Sequence, residues 1–156
     1  MRSSRRLPMT HKPITETTGY LLVQVCKAHR SKAQELLSKI ELHPGQEMLL
    51  LRLWPGDGLT QSALAEELCI KPATITRMLD RLVKGGFVER RPDAEDQRVS
   101  RVYLTDEGWS LRRPVEEVWH ELEGISFANL TLDEQILLRR LLMQVYENLS
   151  QQGLFF

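Results

Sequence analysis

In the run KPATITRMLDRLVK, residues 71–84, the polar side chains Lys71, Thr74, Thr76, Arg77, Arg81 and Lys84 fall, with Ala73, on one side of a helix. Ile75, Met78, Leu79 and Leu82 fall on the other. Ammonium, guanidinium and hydroxyl groups at this density suit the surface of a DNA duplex. A guanidinium such as Arg77 can pair bidentately with guanine, and threonine methyls suit thymine. Lys71, Arg81 and Lys84 are suited to phosphates, which set register rather than read sequence. Farther on, Arg98 suits a narrow minor groove. Asp96, two residues before it, repels DNA itself and is best used to orient an arginine. Arg90 and Arg91 add phosphate contacts, and Asp80 is expected to pair with an arginine of the same region.

Positioning these groups falls to Leu59–Leu82, LTQSALAEELCIKPATITRMLDRL, which reads as two short helices and a tight turn. Thr60 is an N-cap residue, and Leu64, Ala65 and Leu68 recur at helical spacing behind it. Cys69-Ile70-Lys71 interrupts the period, and Pro72 restarts it at a preferred first helical position. Taken alone, a solvated αα-hairpin would look much the same. The segment C-terminal to Leu82 separates the two. Gly85-Gly86 stops the helix, and the strand-like Phe87–Arg91 and Val99–Leu104 flank the turn-rich loop Pro92–Arg98. A β-hairpin directly after the second helix makes a winged helix-turn-helix.

The flanking segments are helical. One helix spans about Thr17 to Ile40 on the stripe Leu22, Val25/Cys26, His29, Ala33, Leu36/Leu37 and Ile40. A second starts at Pro44, is apolar on nearly every side, and stops at Pro55-Gly56-Asp57-Gly58. Thr105-Asp106-Glu107 opens a third, which Pro114 should kink. Thr131 and Glu134 form a capping box for the last. That helix carries two adjacent stripes, Leu137/Leu141 and Leu138/Leu142/Val145/Leu149, ahead of the tail Leu154-Phe155-Phe156. One stripe can face the chain's own core, and the other needs a partner. We therefore expect a two-fold dimer through Leu22, Ile136, Leu138, Leu142, Val145, Leu149 and Phe155.

The fold class expected is mainly α with a small β-hairpin wing, a winged helix-turn-helix flanked by N- and C-terminal dimerisation helices. Residues 1–13 read as a disordered basic arm and 14–156 as one domain. Within it the winged helix-turn-helix covers about 44–104, and the dimerisation helices about 17–40 and 105–152.

Composition excludes several classes. No apolar run approaches the ~20 residues of a membrane span, and the basic start lacks the apolar core of a secretory signal. Two cysteines make no disulfide framework, so a cytoplasmic location is expected. There is no glycine-rich phosphate loop and no nucleophile with an evident base, so an enzyme is not expected, nor is a cofactor. The 21 basic and 21 acidic residues cancel, but a basic stretch 71–101 is offset by an acidic end. A phosphate backbone meets the local field, not the sum.

LAEELCIKPATITRMLDRLVKGGFVERR (Leu64–Arg91) and DQRVSRVYLTDEG (Asp96–Gly108) resemble the MarR family of bacterial transcriptional regulators. The likeness covers about residues 18–150. It implies a homodimer on double-stranded DNA, at pseudo-palindromic operators, acting as a repressor released by a small ligand or by oxidation. Two departures stand out: Cys69 where a turn glycine is common, and Lys71 where a serine often caps the recognition helix. The resemblance also implies an effector cleft between the DNA-binding lobe and the dimer helices. Tyr20, His43, Trp54, Trp109 and Arg113 are the residues predicted near it, and an arginine beside aromatics suits a carboxylate-bearing aromatic ligand. Both tryptophans also suit core packing. Cys26 is a candidate redox thiol, with a buried small hydrophobe as its plainer reading. Cys26, His29, Glu41, His43 and His120 could be assembled into a zinc site, though only Cys26/His29 are closely spaced. A DNA-architectural protein that senses nothing is a further alternative.

Overall fold

The computed structural model describes residues 13–150. Apart from Pro13, the arm expected over 1–13 lies outside them, as do Phe155 and the rest of 151–156. A single 3-10 turn, Ile14–Glu16, leads into α1, Thr18–Ser38. The Thr17 hydroxyl accepts the Tyr20 N–H at 3.2 Å. α1 ends two residues before the expected Ile40. Leu37 accepts from both Ile40 and Leu42, and Glu41 takes a left-handed φ of 60°. α2, Gln46–Leu53, starts beyond Pro44 because Gly45 adopts φ 100° at its N-cap. Leu49, Leu50 and Leu53 are buried, whereas Leu51 is exposed.

β1, Leu59–Thr60, precedes α3, Gln61–Glu67, and α4, Pro72–Lys84. β2, Val88–Pro92, and β3, Ser100–Leu104, form the wing. The sheet order is β1-β3-β2, all antiparallel, with Leu59 opposite Val102 and Arg90 opposite the same residue on the other side. The wing is thus three-stranded where a two-stranded hairpin was expected. Gly58, at φ 82°, donates its N–H to the Val102 carbonyl at 2.7 Å and so brings the short strand in.

The helix expected from Thr105 is two helices: α5, Asp106–Ser110, and α6, Arg112–Ser126. The break at Leu111 lies just before Pro114, whose missing N–H cannot bond the Ser110 carbonyl. α7, Leu132–Ser150, opens with the expected capping box. The Thr131 N–H donates to Glu134 at 2.8 Å, and the Glu134 N–H returns to the Thr131 hydroxyl at 3.4 Å.

The core joins Leu36 and Leu37 of α1, the α2 leucines, and Leu64 and Ala65 of α3. Ile75, Leu79 and Leu82 of α4, Val88, Val102 and Leu104 of the sheet, and Val115, Val118 and Leu122 of α6 complete it. Ala65 is small where α3 and α4 cross. The N-terminal half of α1 stays out of this core; Leu22 is half-buried, while Leu21 and Val25 are exposed. No residue of α7 is buried. The expectation that one of its leucine stripes faces its own core is therefore corrected. Leu138 is half-buried, and Ile136, Leu137, Leu141, Leu142, Val145 and Leu149 are exposed. The reason is geometric: α6 and the C-terminal half of α1 already close the core. Among the described residues, no helix is long and apolar enough to cross a membrane.

Candidate nucleic-acid interface

α4 is held from behind by Ile75, Leu79 and Leu82, all fully buried. Its front carries Lys71, Ala73, Thr74, Arg77, Arg81 and Lys84, all exposed. Lys71 occupies the N-cap, where an ammonium, having no lone pair, cannot accept a helix N–H, and no capping bond is made. Cys69 takes φ 51°, the left-handed turn conformation that glycine adopts without strain. Thr76 differs from its neighbours. It is half-buried, its hydroxyl donates to the Pro72 carbonyl at 2.9 Å, and it accepts from Gln61 Nε2 at 2.7 Å.

The wing's arginines are mostly engaged within the protein. Arg90 makes the ion pair expected of Asp80, at 2.9 Å. Arg91 pairs with Glu89 and lies over the Tyr103 ring, 4.7 Å from its centroid. Arg101 pairs with Asp93 and donates to the Gly58 carbonyl at 2.9 Å, tying the wing to the loop before α3. The Arg101 guanidinium, helped by the backbone N–H groups of Asp96 and Glu95, holds the Asp93 carboxyl down to about 2. In the wing loop, Asp96 accepts the Arg98 backbone N–H at 3.0 Å and its Nε at 3.3 Å. The Arg98 side chain is still 93% exposed, so it is aimed by Asp96 without being covered. The surface thus presents a cationic helix face and a wing loop with an exposed arginine, the charge pattern a duplex requires. Gln61, Asp93, Arg101 and Tyr103 were not foreseen. Their contacts depend on strand register and on how α3 and α4 pack.

The five residues predicted near an effector cleft are not gathered into one cavity. Trp54 is buried in the core, where its Nε1 donates to the Gly108 carbonyl at 3.1 Å, so a ligand cannot reach it without opening the fold. Trp109 is exposed on α5, Tyr20 is exposed near the start of α1, and Arg113 pairs with Glu117 at 3.0 Å on the outer face of α6. His43 lines a separate cleft with Glu41, Arg81, Lys84 and Phe87. A different hollow of about 580 Å³ lies between the α1/α6 side and α4, lined among others by His29, Arg30, Glu47, Arg77, Arg81 and Trp119. Burial pushes the Glu47 carboxyl above its usual range, against the opposing pull of the backbone N–H groups of Glu47 and Gly45 and the charge of Arg30.

Cys26 is exposed rather than buried, because the half of α1 that carries it lies outside the core. It lines a groove between α1 and α7 with Leu22, Val25, Leu138 and Leu142. Among the described residues, no three His, Cys, Asp or Glu side chains lie close enough to hold a metal ion.

Residues 42–100 match the MarR family. The chain is 34% identical over 109 residues to the HTH-type transcriptional regulator TtmR of Methylorubrum extorquens, covering 70% of this chain and about half, 53%, of that one. It is 31% identical over 131 residues to the HTH-type transcriptional repressor IacR of Pseudomonas putida, covering 84% of this chain and 78% of that one. A mutant MarR from E. coli, solved in complex with operator DNA, superposes with a TM-score of 0.77 at 30% identity, covering 86% of this chain and 99% of that chain. The winged helix, its cationic face and these likenesses agree: the chain belongs to the MarR family and is a transcriptional regulator that binds DNA.

Proposed function

We propose that the protein acts in the cytoplasm as a homodimeric, sequence-specific repressor of pseudo-palindromic operators, released by a small aromatic or phenolic acid. The single observation that carries this reading is that Arg77 and Arg81 belong both to the exposed front of α4 and to the lining of the 580 Å³ hollow. A ligand carboxylate taken up there would compete for guanidinium groups needed by DNA. Arg30 supplies a further charge to such an anion, and Trp119 an apolar face.

On the duplex, α4 enters the major groove with its N-terminal half. Arg77 reads a base, Thr74 lies against base edges, and Lys71, Arg81 and Lys84 hold phosphates. Arg98, aimed by Asp96, enters the adjacent minor groove. The exposed apolar rows of α7 and of the first half of α1 support the dimer. A continuous surface of that kind is buried by a second copy more readily than by water. Two recognition helices then lie about one helical turn of DNA apart, ~34 Å.

A thiol switch is the weaker reading. Apart from His29, the groove around Cys26 is apolar or uncharged, which gives a thiolate no fixed counter-charge. The test is an operator selected from random duplexes with the full chain, followed by anisotropy titrations with benzoates and phenylacetates. The reading requires at least tenfold weaker operator binding with one of these acids, and loss of that response in Arg30→Ala. A single copy in sedimentation, or an operator affinity indifferent to every acid tested, overturns it.

A further inference from the structure

We infer that Thr76 reads a thymine through its methyl group alone, and that Gln61, on the other helix of the pair, is the residue that sets it in that position. The inference rests on the proposed docking of α4 in the major groove. A threonine hydroxyl has one proton and two lone pairs. Here the proton goes to the Pro72 carbonyl at 2.9 Å, and one lone pair takes the Gln61 amide N–H at 2.7 Å. Because the hydroxyl proton is already engaged, the Gln61 group facing it must be the donor, which fixes the orientation of that amide. The hydroxyl is turned back along α4 and across to α3, so it cannot donate to a base. The methyl is the group left for the groove.

Gln61 follows the Thr60 cap of α3, and the Thr60 hydroxyl accepts the Ala63 N–H at 3.1 Å. The clamp therefore starts from a helix end that is itself anchored. Without it, Thr76 keeps its bond to Pro72 but loses the contact that restrains it from the side. Gln61 is thus a positioning residue for base reading, while Thr76 is the reader.

The test replaces each thymine of the selected operator by uracil, which deletes only the 5-methyl group, and compares affinities in anisotropy titrations. Wild type should bind about fourfold more weakly at one position per half-site, the effect of losing one buried methyl. Thr76→Val, which keeps methyl groups but removes the oxygen that Gln61 holds, should reduce that penalty as Gln61→Ala does. Thr76→Ser should show none. Gln61→Ala should reduce the penalty towards onefold with its thermal midpoint unchanged, a response that a purely structural glutamine would not give. A fourfold uracil penalty that survives in Thr76→Ser, or that survives in Gln61→Ala and Thr76→Val alike, overturns the assignment. Failure of the wild type to select any sequence overturns the docking itself, and is distinct from either result.

Discussion

The salt dependence of DNA binding separates the cations that are free to meet phosphate from those already paired. Counting every basic residue assigned to phosphates from sequence gives Lys71, Arg81, Lys84, Arg90 and Arg91 in each half-site. In the structure Arg90 is held by Asp80 at 2.9 Å, and Arg91 by Glu89 with Tyr103 beneath it. Three cations per protomer remain, about six per dimer. At ~0.9 counterions released per phosphate contact, the slope of log affinity against log salt should be about −5. If Arg90 and Arg91 also reached phosphate, the slope would be about −9. From 50 to 200 mM KCl the first case loses about a thousandfold in affinity, and the second roughly a hundred times more. Anisotropy titrations on the selected operator at five salt concentrations resolve the difference. Asp80→Ala releases Arg90 in both half-sites and should steepen the slope by about two units, while Lys84→Ala should flatten it by about two. A wild-type slope near −9 that Asp80→Ala leaves unchanged would refute the reasoning, because Arg90 would then already lie on the DNA.

Other outcomes hang on single contacts. A Cβ at Gly108 would sit 2.0 Å from the Phe87 carbonyl oxygen, so Gly108→Ala must push α5 away from the start of the wing. It should lose about 1–3 kcal/mol in urea unfolding, and a loss below the error of the method would contradict that packing. Asp93 sits at about 2 against an ordinary 3.8, so its contribution is complete above about 4 and disappears as pH falls towards 2. Asp93→Asn should remove that acid-dependent part from the pH profile of the thermal midpoint. Glu47 is shifted the other way, so its contribution is complete below 4.5 and is lost as pH rises through the elevated folded value. Glu47→Gln, which keeps an acceptor for the Gly45 N–H, should have the higher midpoint at pH 7; an unchanged midpoint there would show the carboxylate to be well solvated.

How much of this was legible in the sequence depends on the range of each contact. Ile75, Leu79 and Leu82 declare α4 by spacing alone, and Thr60, Thr105 and Thr131 declare three helix starts, because a period and a cap are local signals. β1 is two residues long and has no period, so its pairing with β3 is visible only once Gly58 has turned the chain. Basic residues in the wing could be counted, but not their partners. Asp80–Arg90 was foreseen as a pairing of kinds, whereas Arg101–Asp93 and Arg91–Tyr103 depend on strand register. The effector residues fared worst for the same reason. Tryptophan has an apolar body and one polar N–H, so Trp54 suits a core as well as a cleft. The Gly108 carbonyl that takes its N–H is 54 residues away.

The sharing of Arg77 and Arg81 between the groove face and the hollow also fixes how the proposed control must behave. Two sites that draw on the same guanidinium groups are coupled, and the coupling free energy is the same in either direction. If a bound aromatic acid weakens the operator tenfold, saturating operator must weaken the acid tenfold, which is about 1.4 kcal/mol of coupling. One charge-assisted hydrogen bond withdrawn from DNA, worth ~1.5–3 kcal/mol, is enough to supply it. No large rearrangement of the core is needed, since Ile75, Leu79 and Leu82 can stay buried while the side chains in front of them change partners. Calorimetry of the acid into free protein and into the operator complex measures both legs. An acid that weakens the operator tenfold and is itself weakened tenfold by it, but does both equally well in Arg30→Ala, would place its site somewhere other than the arginine-lined hollow beside the recognition helix.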